Sequence, residues 1–209
     1  MRIGLSQRVD TFTGYREVRD SLDQQWISFL EEAGFQVVLI PNQLKDPENY
    51  YRDLQIKGLI LSGGNDPAVL KNAKNVSDAR DRVEATLIHY ARSLGQPILG
   101  VCRGMQYLCL ELGEELKRIE GHVSKRHRLI CEPDFFYPNG HQVNSYHNWA
   151  LTRLKKNSPL RAMAKTADQS IEAVQHRNES IYGIMWHPER ESKFSRYDLN
   201  FFQKVFKND

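Results

Sequence analysis

Apolar residues in the first half of the chain fall into two alternating kinds of run. Short continuous stretches span Arg2 to Ser6, Phe35 to Ile40, Gly58 to Leu61 and Ile98 to Val101. Each is a strand with both faces covered, because a half-exposed strand would alternate apolar with polar. Between them the apolar positions recur at helical spacing. Leu22, Trp26, Phe29, Leu30 and Ala33 mark an amphipathic helix over Asp20 to Ala33, stopped by Gly34. Pro47 to Leu54 reads as a short helix, Asp78 to Leu94 as a long one closed by Gly95, and Arg103 to Leu112 as another.

Strands and helices in alternation predict an α/β fold, an open twisted, mostly parallel sheet with helices on both faces. The second half changes character. Ile171 to Gln175 and Ile181 to Trp186 are β-like, Pro133, Pro138 and Gly140 mark turns, and Arg196 to Phe206 reads as a terminal helix. Extra β-strands are therefore expected in the C-terminal half. With no repeat, linker or low-complexity segment, residues 1–209 read as one domain.

Composition narrows the class only modestly. The chain has 209 residues, 40% hydrophobic and 26% charged, with a formal net charge of +3. That excess is too small to argue for nucleic acid. No apolar stretch is long enough for a signal peptide or membrane span. Three widely spaced cysteines do not make a disulfide framework. A reducing, cytoplasmic setting is the default expectation.

One of those cysteines stands in a reactive context. Gly100-Val101-Cys102-Arg103-Gly104-Met105-Gln106 puts a thiol between two glycines at a strand-to-helix turn, the cysteine counterpart of a nucleophile elbow. The helix N-terminus there favours a thiolate. Acyl transfer on a thiol also needs a base, an orienter and an oxyanion hole. Trp186-His187-Pro188-Glu189 ends a strand, and residues two apart in an extended segment face one side, so Glu189 can orient the imidazole of His187. Leu61-Ser62-Gly63-Gly64 ends another strand with open backbone N–H groups, one of which, with the N–H of Arg103, can hold an oxyanion.

These three motifs, with Gly63-Gly64-Asn65-Asp66-Pro67 and Asn144-Ser145-Tyr146-His147-Asn148-Trp149, resemble the class I glutamine amidotransferase superfamily, and within it the γ-glutamyl hydrolase branch. The likeness runs along nearly the whole chain in the same order and implies the flavodoxin-like form of the fold. Carried over, it makes Cys102 the nucleophile, His187 the acid and base, and Glu189 the orienter. Gly64 and Arg103 would supply oxyanion N–H groups, and Gly63, Gln106, Ser145, Tyr146 and His147 would lie near the glutamyl group. The partner is a small γ-glutamyl conjugate, with no metal or cofactor, no nucleic acid and no membrane. Arg19-Asp20-Ser21-Leu22-Asp23 and Ile181 to Glu191 narrow the likeness to hydrolases of a nucleotide-bearing conjugate, a γ-glutamyl amidate of cytidine diphosphate used in bacterial capsule synthesis.

Other residues have plainer readings. Cys109 is a core residue on the helix after Cys102, and Cys131 has no assigned role. Asp81 and Glu84 suit a helix start, where acids complement the dipole. His122 and His127 do not make a metal site by spacing, since no cysteine or acid pairs with them. Lys125, Arg126 and Arg128 read as a solvated basic run, the sharper alternative being a patch for an anionic leaving group. Three other functions stay open: a glutaminase subunit serving a separate synthase, a hydrolase of γ-glutamyl-aminobutyrate-type compounds, and an inactive binding module. The leaving amine and the oligomeric state are not legible.

Overall fold

The computed structural model describes residues 1–207. In chain order the strands and helices are β1 Arg2–Ser6, β2 Arg8–Phe12, β3 Glu17–Ser21, α1 Gln25–Glu32, β4 Gln36–Ile40, α2 Pro47–Asp53, β5 Leu59–Leu61 and α3 Asp78–Ser93. There follow β6 Ile98–Val101, α4 Arg103–Glu111, β7 Lys117–Arg118, β8 Val123–Arg128, β9 Ile130–Cys131 and β10 Gln142–Tyr146. The last are β11 Trp149–Ala150, β12 Leu160–Lys165, β13 Ile171–His176, β14 Ile181–Ile184 and α5 Arg196–Lys207.

Eight strands form the main sheet in the order β4-β1-β5-β6-β14-β13-β12-β9. The first five are parallel, and β13, β12 and β9 continue the sheet antiparallel. The central strands β5 and β6 are apolar and buried throughout because helices cover both faces. Ile60, Leu99 and Val101 point to the side packed by Trp26, Phe29 and Phe202 of α1 and α5. Leu59, Leu61 and Ile98 point to the side packed by Val83, Leu87 and Leu108 of α3 and α4. Cys109 is fully buried against Met105, Leu160 and Val174, as a core residue should be.

The N-terminal helix is shorter than its periodicity suggests. Asp20 and Ser21 close an exposed hairpin, β2 against β3, and the helix starts at Gln25. Two polar side chains account for the difference. The Asp20 carboxylate accepts hydrogen bonds from the backbone N and side-chain Nδ2 of Asn42, 3.0 and 2.8 Å, and that of Asp23 accepts the Gln25 N–H at 3.0 Å. Short acidic side chains that bond nearby backbone favour a boundary over a helix interior. The Asn144-to-Trp149 stretch also departs from a loop. Its first half is β10, which pairs antiparallel with β8, the strand that carries Lys125, Arg126 and Arg128.

Strand order decides where the chemistry can sit. β5, β6 and β14 are side-by-side parallel strands, so their carboxyl ends meet at one edge. Ser62-Gly63-Gly64 follows β5, Cys102 follows β6, and His187 lies three residues past β14. Ligands of open α/β sheets bind outside the carboxyl ends of the strands. Among the described residues, no helix is long and apolar enough to cross a membrane.

Candidate active site

Cys102 occupies a backbone conformation that few non-glycine residues adopt, φ 52° and ψ −109°. Its N–H donates to the Ile184 carbonyl at 2.8 Å, which ties the elbow to β14. The turn closes only because Gly104 has no side chain. A Cβ there would collide with the carbonyl oxygen of Leu61 at the end of β5. The Arg103 N–H begins α4, where the first amides have no intrahelical partner.

His187 is buried, and its Nδ1 stands 2.7 Å from Glu189 Oε1. The contact is made differently from the expected extended strand. Strand β14 stops at Ile184, and Pro188 to Arg190 wind into a 3-10 turn that folds Glu189 back onto the ring. Burial alone would lower the basicity of the imidazole. The neighbouring Glu189 carboxylate and the nearby Cys102 sulfur outweigh it, and His187 is raised to about 9. Gly63 leaves room for the ring, since a Cβ there would meet His187 Cε1 at 2.6 Å.

Asn144 holds the histidine from the other side. Its Oδ1 accepts the His187 N–H at 2.8 Å and its Nδ2 donates to the His187 carbonyl at 2.8 Å. Sequence reasoning passed over it, although it opens the Asn-Ser-Tyr-His stretch. It also missed Arg80, fully buried on α3. The Arg80 guanidinium donates to the carbonyls of Ser62, Gly63 and Gly64 at 2.7, 3.0 and 2.8 Å. Asp81 and Glu84, on the same helix, pair with the Arg103 side chain, and Glu84 also accepts from Arg80 at 2.8 Å. These acids do more than complement a helix dipole, because they neutralise two buried arginines.

Two cavities open beside the elbow and share Gly64. One, of about 260 Å³, is lined by Cys102, Arg103, Gln106, Tyr146 and His147. Gln106 Nε2 donates to the Trp149 carbonyl at 2.9 Å, which points its amide oxygen elsewhere. Of the expected glutamyl contacts, Gly63 and Ser145 do not line this cavity; Gly63 lines the other one, and Ser145 faces away. Alternation along β10 turns its fully buried hydroxyl away, and it donates to the His122 carbonyl at 2.7 Å. The other cavity, of about 320 Å³, is lined by Arg8, Asp23, Trp26, Gly63, His187 and Arg190. The Arg190 guanidinium also lies 4.7 Å from the Tyr146 ring centroid. Lys125, Arg126 and Arg128 line neither cavity, and Arg126 pairs with Glu191 at 2.9 Å.

Spacing along the chain hid one further cluster. His122, His147 and Glu172 are all buried, with ligand atoms within 4.8 Å of one another. The acid that spacing could not supply to His122 comes from β13, where it faces two imidazoles.

The chain's likeness to known proteins covers most of its length. The profile of the family described as peptidase C26 matches residues 3–189. A γ-glutamyl-CDP-amidate hydrolase from Campylobacter jejuni is 33% identical over 200 residues, 95% of each chain. One of the subunits of the glutamine-hydrolysing GMP synthase from Methanocaldococcus jannaschii is 28% identical over 84% of this chain and 87% of its own. Among solved structures, a glutamine amidotransferase from Thermotoga maritima superposes with a TM-score of 0.65 at 15% identity, over 97% of this chain and 82% of that one.

Proposed function

The chain belongs to the peptidase C26 family and is a glutamine amidotransferase-like hydrolase; from that premise we propose that it cleaves the γ-glutamyl amide bond of a small conjugate, releasing glutamate. The observation that carries this reading is the meeting of Cys102, on its strained turn, with the buried His187–Glu189 pair.

The chemistry runs in two halves. The Cys102 thiolate attacks the γ-carbonyl carbon, and the carbonyl electron pair moves onto oxygen, held by the N–H groups of Gly64 and Arg103. As the tetrahedral intermediate collapses, the C–N bond breaks and the His187 imidazolium gives its proton to the leaving nitrogen. Glutamate remains as a thioester on Cys102. The now neutral His187 takes a proton from water, the hydroxide attacks the thioester, and the thiolate leaves with imidazolium restored. Glu189 holds the ring in the tautomer with Nδ1–H and favours its charged state.

The substrate is oriented by the two cavities. The glutamyl end belongs on the Cys102 side, with the Gln106 amide and the Tyr146 hydroxyl as polar contacts, while His147 contributes only ring surface to that cavity. The leaving group then falls on the His187 side, toward Arg8 and Arg190. Two guanidiniums there suit a pyrophosphate, and with the Campylobacter relative they favour γ-glutamyl-CDP-amidate, giving cytidine diphosphoramidate. The likeness to GMP synthase chains favours a second reading, a glutaminase that supplies ammonia to a separate synthase.

Glutamate release from a panel of γ-glutamyl amides separates them. The first reading expects the highest kcat/KM with the nucleotide-bearing amidate and loss of turnover in Cys102→Ala with the fold retained. Preference for free glutamine, raised by a partner protein, would support the second. Near-normal turnover by Cys102→Ala would overturn both.

A further inference from the structure

We propose that His122, His147 and Glu172 form a binding site for one divalent transition-metal ion of the zinc class. The site is separate from the Cys102 chemistry. It pins the β8–β10 hairpin to the main sheet.

Bonding capacity in this cluster is unmet. His122 Nδ1, His147 Nε2 and both Glu172 carboxylate oxygens are buried with no hydrogen-bond partner. Buried polar atoms are almost always partnered, and here one ligand atom from each of the three residues lies within 4.8 Å of the others, so the cluster has room for a shared resident. The imidazole nitrogens each stand 3.5 Å from Glu172 Oε1, beyond the roughly 3.2 Å reach of a good N–H···O bond. It is close to the spacing of tetrahedral ligands: zinc–ligand bonds of about 2.05 Å put two ligands about 3.3 Å apart.

The outer contacts point the same way. Metal-bound histidines donate their other N–H to a carboxylate or carbonyl, which fixes the tautomer. Both histidines do this. His122 Nε2 stands 2.7 Å from Asp168 Oδ2, and His147 Nδ1 stands 3.1 Å from the Trp149 carbonyl. Each arrangement leaves the remaining nitrogen as a lone-pair donor aimed at Glu172. Two neutral imidazoles and one carboxylate suit a borderline cation such as Zn²⁺ better than Mg²⁺ or Ca²⁺, which take oxygen ligands. A water completes four-coordination. His127 stands beside it, its ring centroid 4.3 Å from that of His122 and its Nε2 also unpartnered.

The ligands come from three separated stretches. His122 precedes β8, His147 follows β10 and Glu172 lies on β13. An ion here joins the hairpin that carries Asn144 to the sheet that carries His187.

The test uses the full chain in a Cys102→Ala background, so that the nucleophilic thiol cannot account for uptake. Co²⁺ is titrated into metal-free protein. The proposal expects one cobalt per chain, visible d–d bands of four-coordinate intensity, no thiolate-to-cobalt charge-transfer band, and displacement by Zn²⁺. Glu172→Gln should weaken binding at least about 100-fold. Asp168→Asn should weaken it about 10- to 100-fold, as expected for loss of an outer partner; Asp168 is half exposed, so this variant keeps its fold. No cobalt uptake by the parent, a thiolate band, or equal binding by Glu172→Gln and parent would each overturn the proposal.

Discussion

Replacing Glu189 by Gln keeps the shape of the side chain and removes its charge. His187 stands at about 9, against an ordinary 6.5, a preference for imidazolium worth about 3 kcal/mol. Burial opposes that preference, and Glu189 is the largest contribution favouring it. Without the charge the largest contribution opposing burial is gone, and the imidazole falls from about 9 back toward its ordinary 6.5. In the parent, kcat/KM for glutamate release should hold up to pH about 9 and decline above it, as His187 loses its proton. In Glu189→Gln the alkaline decline should begin at least two pH units lower. At pH 8 the rate should fall roughly 30-fold, the drop in the protonated fraction of His187 when its value moves from about 9 to about 6.5. A stability readout must agree in sign. A group whose folded-state value is raised stabilises fully below its unfolded value and loses that stabilisation as pH rises through the folded one. The parent should therefore lose urea resistance between pH about 6.5 and about 9 by an amount that the variant does not. An alkaline limb that stays near 9 in Glu189→Gln would refute the reasoning.

Gly104→Ala places a methyl group against the Leu61 carbonyl, which belongs to a central strand and cannot retreat; urea denaturation should show a loss of at least roughly 2–3 kcal/mol. Arg80→Lys keeps a charge but cannot span the Ser62, Gly63 and Gly64 carbonyls. Its kcat should fall about tenfold or more while KM changes little, because the loop supplies an oxyanion donor. Arg190→Ala should raise KM for a diphosphate-bearing amide about tenfold, the worth of one charge-assisted contact near the surface, and leave glutamine hydrolysis within about twofold.

The central parallel strands β5 and β6 were legible because they are buried on both faces and so write themselves as apolar runs. Cys102, His187 and Glu189 were legible because each sits where a strand ends, and strand ends carry glycine or proline. The hairpin of β2 and β3 was not, since its positions are largely solvent-exposed and leave no hydrophobic period. Arg80 and Asn144 escaped for another reason. An arginine inside a helix full of charges looks like surface until its partners, two strand-ends away, are known. Asn144 acts through its amide on main-chain atoms, and a backbone partner leaves no mark of its own in sequence. The metal cluster shows the same limit. Its ligands lie at positions 122, 147 and 172, and only the pairing of β8 with β10 and the course of β13 bring them together.

Helix α3 touches both donors of the proposed oxyanion hole: Arg80 grips the loop that holds Gly64, while Asp81 and Glu84 grip the side chain of Arg103. Two points hung from one rod keep their separation when the rod moves. Thermal displacement of α3 carries both amides together, so the distance between them varies less than the position of either. Thus the gap that must match a single oxygen atom is insulated from motion of the helix behind it. Variation in α3 packing far from residues 80–84 should change stability before it changes the rate of the chemical step.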